Sequence, residues 1–320
     1  MDAKPGSRFA LCAAAAAALA LLPFQIASAR NAPDQPSASA APPPASAQGS
    51  TTVDSVTVTA PKVEQDKLPT LVNRFVEGHS AVSRIDQLSR WGGPLCPQTG
   101  GLTAPFDAYV SARVKQVAAS IGAPIDKHPN RNFPCKTNLL IAFTTNPQGL
   151  MDDVRKRHSQ MLGFHYAAQA QRIALVNRPI QAWYMTGTKA EGGQIEVDDE
   201  FHRLPTGSAG SRLTSRIESQ FVGVLVVIDA NKIVGHQIGA IADEIAMLSL
   251  AHASQVKGCS ELETILDFLN PDCPAGADPA GLTRYDVAYL KGLYSIDPQE
   301  YLAAQRSEIG SRILREIAQP

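Results

Sequence analysis

The stretch from Arg216 to Ala253 constrains the fold most. "RIESQFVGVLVVID", Arg216 to Asp229, is the most strand-like run of the chain, and "ANKIVG" turns it into "GHQIGAIADEIAMLSLAHA", Gly235 to Ala253. In that second piece Ile238, Ile241, Ile245 and Leu248 recur at helical spacing, which predicts a helix with one apolar stripe. Ala242, Ala246 and Ser249 flank the stripe, and small side chains there let a neighbouring element pack close. A strand feeding a core helix argues for a sheet with helices packed on it.

The same patterning extends over the chain from about Leu68 to the end. "LPTLVNRFVEGH" predicts a short helix and "IDQLSRWGG" a strand. Thr103 as cap, Pro105 in the first turn and Gly122 as stop bound a second helix. Asn138 to Thr145 is a continuous apolar run, expected to be a strand buried on both faces. Asn146 and Pro147 open a helix that Gly163 closes, with His158 on its apolar stripe beside Leu150, Val154 and Met161 as a core histidine. "RPIQAWYMTGT" predicts another strand, followed by a polar loop from about Lys189 to Ser211. Trp91 and Trp183 are expected to be core anchors. Near the C-terminus Thr283 and Asp286 spell a capping box, Leu282 and Val287 stand where a hydrophobic staple would, and a last helix runs from Pro298 to about Ile317. Without a regular βαβ repeat, this order predicts one α+β domain over 67–320.

Ahead of the domain, Lys4 and Arg8, an Ala/Leu run from Phe9 to about Phe24 and Ala27-Ser28-Ala29 read as a signal peptide over 1–29. Residues 30–66 form a Pro/Ala/Ser linker expected to be disordered. Within it "TTVDSVTVTAPK", Thr51 to Lys62, alternates Val and Thr like a strand and looks like the segment TonB-dependent receptors offer to a periplasmic partner. Signal removal leaves Cys96, Cys135, Cys259 and Cys273, an even set that reads as two disulfides in an oxidising compartment. Three pairings are open; proximity favours Cys96–Cys135 and Cys259–Cys273, the second worth about 3 kcal/mol of loop entropy. Periplasmic or secreted localisation follows, with no integral membrane segment after cleavage. A formal net charge of -1 gives no basic surplus for nucleic acid.

Zinc chemistry of the HExxH kind needs two histidines four apart, so both reach one metal from one helix face, with the intervening Glu as general base. The helix from Gly235 has only His236 and His252, sixteen positions apart. With its last ligand on His252, the longer HExxHxxGxxH pattern falls on Ala242, Asp243, Ala246, Ser249 and His252. Two ligands are then alanine, and Asp243 is one methylene shorter than the base; starting at His236 also leaves a single imidazole. These residues predict no catalytic residue, no metal and no cofactor on this helix, with His236 near the cap and His252 at the helix end on the last carbonyls.

The order strand, turn, helix, irregular loop and then Leu282, Thr283, Asp286, Val287, Leu290, Leu293 and Tyr294 resembles the second half of matrixin-type zincins. It is also similar to secreted proteobacterial proteins of zincin-like layout. The resemblance covers about the last hundred residues and implies a single zincin-like domain with a mixed sheet, here with a degenerate zinc helix. On that analogy the expected activity is non-catalytic: binding a peptide or envelope protein in a groove beside "FVGVLVVID". Two rivals stand beside it. One is a hydrolase whose site gathers His158, His165, His202 and the carboxylates of "EVDDE", Glu196 to Glu200, which otherwise form a solvated hairpin tip. The other is an accessory protein of a TonB-linked outer-membrane system. Nucleotide-binding glycine patterns are absent from the sequence.

Overall fold

Leu139, Ile141 and Phe143 turn one way from their strand, and Val224, Val226 and Ile228 turn the same way from the next. That alternation builds the sheet around which the rest packs. The computed structural model describes residues 66–126, 135–199, 210–211, 214–253, 258–274 and 278–318. The signal peptide, residues 30–65 of the linker with Thr51 to Lys62, Glu200 and His202 lie outside the described residues.

The elements are α1 (Leu68–His79), β1 (Pro97–Gly100), α2 (Ala104–Ser120), β2 (Leu139–Thr144), α3 (Pro147–Arg157), α4 (Ala170–Ile173), β3 (Ile180–Ala190), β4 (Ile195–Val197), β5 (Ile217–Asp229), α5 (Ile238–Leu250), α6 (Arg284–Leu293) and α7 (Leu302–Ala318). The five strands lie in the order β1-β2-β5-β3-β4. β1, β2 and β5 are parallel, while β3 runs antiparallel to β5 and to β4, so the sheet is mixed and the domain α+β. One face carries the main core, with α2 and α5 against it; α6, α7 and α1 pack on one another. The other face carries a smaller cluster of Met151, Val154, Leu162, Trp183, Leu225 and Val227 under α3. Both tryptophans are core anchors, each 3% exposed.

Several local expectations change in the folded chain. "IDQLSRWGG" forms no strand; it contributes only single bridges, Val82 to Leu88 and Arg90 to Gln220. β2 alternates instead of being buried on both faces: the second face is incompletely covered, and Leu140 stays exposed. α3 ends at Arg157, so His158 is its exposed C-cap and not a core histidine; only Met151 and Val154 of that helix are buried. "EVDDE" departs from a solvated hairpin tip at Asp198, while Glu196 is exposed as expected. The hairpin turns at residues 191–194, Glu196 lies within β4, and Asp198 is buried against the hydroxyls of Thr186 (2.7 Å) and Thr188 (2.9 Å).

Cys96 pairs with Cys135 and Cys259 with Cys273, as proximity suggested, which fits an oxidising compartment. Among the described residues, no helix is long and apolar enough to cross a membrane. The capping box is present: Thr283 Oγ1 accepts from Asp286 N–H at 3.2 Å, and the Asp286 carboxylate accepts from Thr283 N–H at 2.9 Å. Asp286 does more than cap. Fully buried, it also accepts from Thr264 Oγ1 at 2.6 Å and Ile265 N–H at 2.8 Å, tying the disulfide loop to the start of α6. Asp286→Ala leaves those buried donors unpaired and is expected to cost about 3 kcal/mol or more, read as a lower urea midpoint at unchanged m-value.

Candidate functional site

α5 follows β5 through the turn at Gly235, where φ is +87°, and lies across the sheet beside β3. Its sequence makes it almost wholly apolar, so its few polar groups must be satisfied by particular partners. Asp243 takes both oxygens to Arg113 of α2, from Nε at 2.6 Å and Nη2 at 3.1 Å, and accepts from Leu282 N–H at 3.0 Å. Gly281 lets that loop come close, since a Cβ there would stand 2.6 Å from the Asp243 carboxylate. Asp243 is thus a tie between three segments and turns away from the cleft.

Ala242, Ala246 and Ser249 are fully buried in the core, and their methyl and hydroxymethyl groups fill space beside the sheet. His252 lies beyond the end of α5, where the sequence placed it, yet it does not serve the last carbonyls. Trp91 Nε1 donates to Ser249 O at 2.8 Å and the Tyr294 hydroxyl to Leu250 O at 2.9 Å, so both are already taken. The His252 ring instead packs on Tyr184 of β3, 4.3 Å between centroids, and its Nδ1 has no hydrogen-bond partner among the described residues. Burial lowers its pKa to about 4, so it is neutral near pH 7. His236 is exposed near the start of α5, edge-on to Phe268.

The sequence reading passed over Glu244. Next to Asp243 but turned toward β3, it is 5% exposed, and its Oε2 has no hydrogen-bond partner among the described residues. Desolvation drives its carboxyl well above the ordinary range; Arg178 opposes this and Asp278 adds to it. Glu244 lines a cavity of about 40 Å³ together with Tyr184, Leu248, Asp267 and Asn270. It shares Arg178, Ile180, Glu244 and Asn270 with a neighbouring bowl of about 390 Å³ that Lys232, Phe268 and Asp272 also line. It shares Gln181, Ala182, Tyr184 and Ala253 with a groove of about 500 Å³ walled by Arg84, Phe164 and His252. The three together follow β3.

β3 shapes this cleft because its outer edge is open. Asp229 N–H donates to Pro179 O at 2.8 Å, and Ile180 pairs opposite Ile228, so by strand alternation Ile180, Ala182 and Tyr184 point their N–H and C=O groups away from β5. β4 covers the edge only from Gly187 to Lys189, and Asp198 N–H reaches Thr186 O. Gly163, with φ +81°, packs on Tyr184 O, where a Cβ would come within 2.1 Å. Upstream of that contact, no main-chain group among the described residues pairs with Ile180 or Ala182 on the open side.

The strand "FVGVLVVID", beside which a groove was expected, lies inside the sheet. β5 is interior, bonded to β2 over Val224 to Asp229 and to β3 along its length, so it has no edge to offer. Of the scattered alternative, Glu200 and His202 lie outside the described residues. His158 is exposed, the His165 Nδ1 bonds Gly163 O at 2.7 Å, and Asp198 is held by two threonines. Among the described residues, the one group of three metal-type donors is Cys259, Asp267 and Cys273, whose sulfurs are committed to a disulfide.

Two outcomes follow from this geometry. With alanines at two ligand positions, the purified protein is expected to carry no stoichiometric zinc by elemental analysis; one chelator-labile zinc per chain would contradict that. His252 titrates near 6.5 unfolded but near 4 folded, so the folded state binds fewer protons between those values and stability falls as pH drops through that window. Wild type should lose up to about 3 kcal/mol relative to His252→Gln between pH 6.5 and 4, and parallel denaturation curves would show that the ring is not held neutral. No family model, no curated protein and no solved structure matches this chain, so its function is read from the geometry of this cleft.

Proposed function

We propose that the protein is exported to the periplasm or beyond and works there by binding an extended peptide along the open edge of β3. The observation that carries this reading is the pair of outward main-chain positions Ile180 and Ala182, unpaired among the described residues and lining adjacent pockets. A peptide added there gains backbone hydrogen bonds from that row, while its alternate side chains enter the cavity beside Glu244 and the groove beside Phe164 and His252. Export is supported by the signal-like first 29 residues and by the two disulfides.

On this reading the scaffold is zincin-like and has lost its metal ligands. The succession of β5, α5, disulfide loop and capped α6 supports the resemblance, and Tyr294 at the end of α6 serves α5 as a cap. What remains is recognition without bond cleavage: α5 has no activated water to offer, and the cleft beside it is intact.

The edge can be blocked without touching the ladder. Ala182 N–H points outward, so Ala182→Pro removes a donor to a bound peptide and none to β5. A random peptide library panned on the mature protein should yield binders, and Ala182→Pro should weaken them at least about tenfold with a small change in Tm, as expected for lost backbone pairing. Binders indifferent to the substitution would place recognition elsewhere.

A further inference from the structure

Glu244 stands where the inner cavity meets the outer bowl, since it lines both. An uncharged carboxyl with an orphan oxygen is an expensive thing to bury, and its neighbours show what kind of group it faces. Asp267 lines the same cavity from the disulfide loop, receiving hydrogen bonds from Ser260 N–H at 3.0 Å and Ser260 Oγ at 3.3 Å. Asp272 borders the bowl, and Asp278 acts on Glu244 through space. The cations are Arg178, just before β3, and Lys232, whose ammonium lies 3.8 Å from Asp229. From β3 the facing groups are the neutral Gln181 and the Tyr184 hydroxyl, which burial keeps protonated. Among the described residues, carboxyl groups thus outnumber cations around an opening with apolar walls at Ile180, Leu248 and Leu266.

We propose that this cavity takes the ammonium of a lysine side chain carried by the peptide on β3, with Glu244 as its counter-ion. The inference rests on the peptide-binding reading and gives it a sequence preference. Ile180 and Leu248 suit a lysine's methylene stem, and the end of the cavity, about 40 Å³, suits a compact ammonium better than a planar guanidinium. Burial favours the protonated carboxyl of Glu244 in the free protein. When R–NH₃⁺ enters, the carboxyl gives its proton to solvent and the orphan oxygen gains a donor: Glu–COOH plus R–NH₃⁺ becomes the Glu–COO⁻···⁺H₃N–R pair plus H⁺. The resulting buried pair is favourable only where further hydrogen bonds surround it, and Asp267 and Asn270 are placed to supply them.

The test uses n-butylamine, a lysine side chain without its backbone, so that it does not depend on the peptide. Calorimetric titration of the mature protein should show saturable binding of n-butylamine, weak or no binding of n-butylguanidine, and none of butyrate. Affinity should rise with pH, by up to about tenfold per unit over the range in which free Glu244 is protonated, and heats measured in buffers of different ionisation enthalpy should report proton release. Glu244→Gln should abolish both the binding and the proton release; Asp267→Asn, which keeps Glu244, should weaken binding and preserve the release. Butyrate binding in place of the amine, binding without proton release, or a Glu244→Gln affinity within about threefold of wild type would overturn the proposal. Acetylated peptides from the library separate the two readings. Binders on β3 without enrichment in lysine remove the lysine assignment and leave the groove. Amine binding that needs Glu244, with no peptide captured, keeps the ammonium site and removes the groove.

Discussion

The Asp243 carboxylate holds the site together. Only 6% exposed, it receives both donors of the Arg113 fork and the main-chain N–H of Leu282, so α2, α5 and the start of α6 meet at one charge. A buried carboxylate so fully bonded permits little rotation of α5 about its axis, because turning it would strand the charge in the core. The other end of α5 is fixed by Trp91 and Tyr294 on its last carbonyls. With rotation and end position set, residue 244 must face β3. The cost of an unpartnered carboxyl at Glu244 is sustained by ties that lie elsewhere on the helix.

The cleft is the complement of that rigidity. Among the described residues, the short β4 and the glycine approach at Gly163 leave the start of β3 unpaired on its outer side, while the disulfide loop and Arg84 line the neighbouring pockets. An open sheet edge is ordinarily a liability, prone to pairing with another chain. Here it is short and recessed between side chains, which restricts what can pair with it to a single extended segment. Binding by such an edge needs no metal and no nucleophile. Ala242 and Ala246 of α5, both fully buried, serve packing.

Much of the architecture was legible because it depends on local periodicity. The strand at Arg216 to Asp229, the helix after Gly235, the Thr283/Asp286 cap and both disulfides emerge where the spacing of apolar residues, capping chemistry and cysteine proximity put them. His158 was misread because its i, i+4 relation to Val154 suggests a buried face, whereas the helix stops one residue earlier. "IDQLSRWGG" alternates like a strand but has no neighbour to pair along it. In "ADEIA" two acids stand side by side, and a single sequence gives no way to tell which of them the core will neutralise; Arg113, 130 positions away, takes Asp243.

The sequence alone determined most element types and the Thr283/Asp286 cap, favoured the cysteine pairing by proximity, and excluded a three-histidine zinc site on α5, because these follow from residue identity and short-range spacing. Only the tertiary structure decided that β5 lies inside the sheet and, among the described residues, that the start of β3 has an unpaired outer side and that Glu244 Oε2 has no hydrogen-bond partner. Strand order and helix rotation are set by contacts between residues far apart in the chain. No local pattern encodes which edge stays uncovered or which of two neighbouring carboxyls turns toward it.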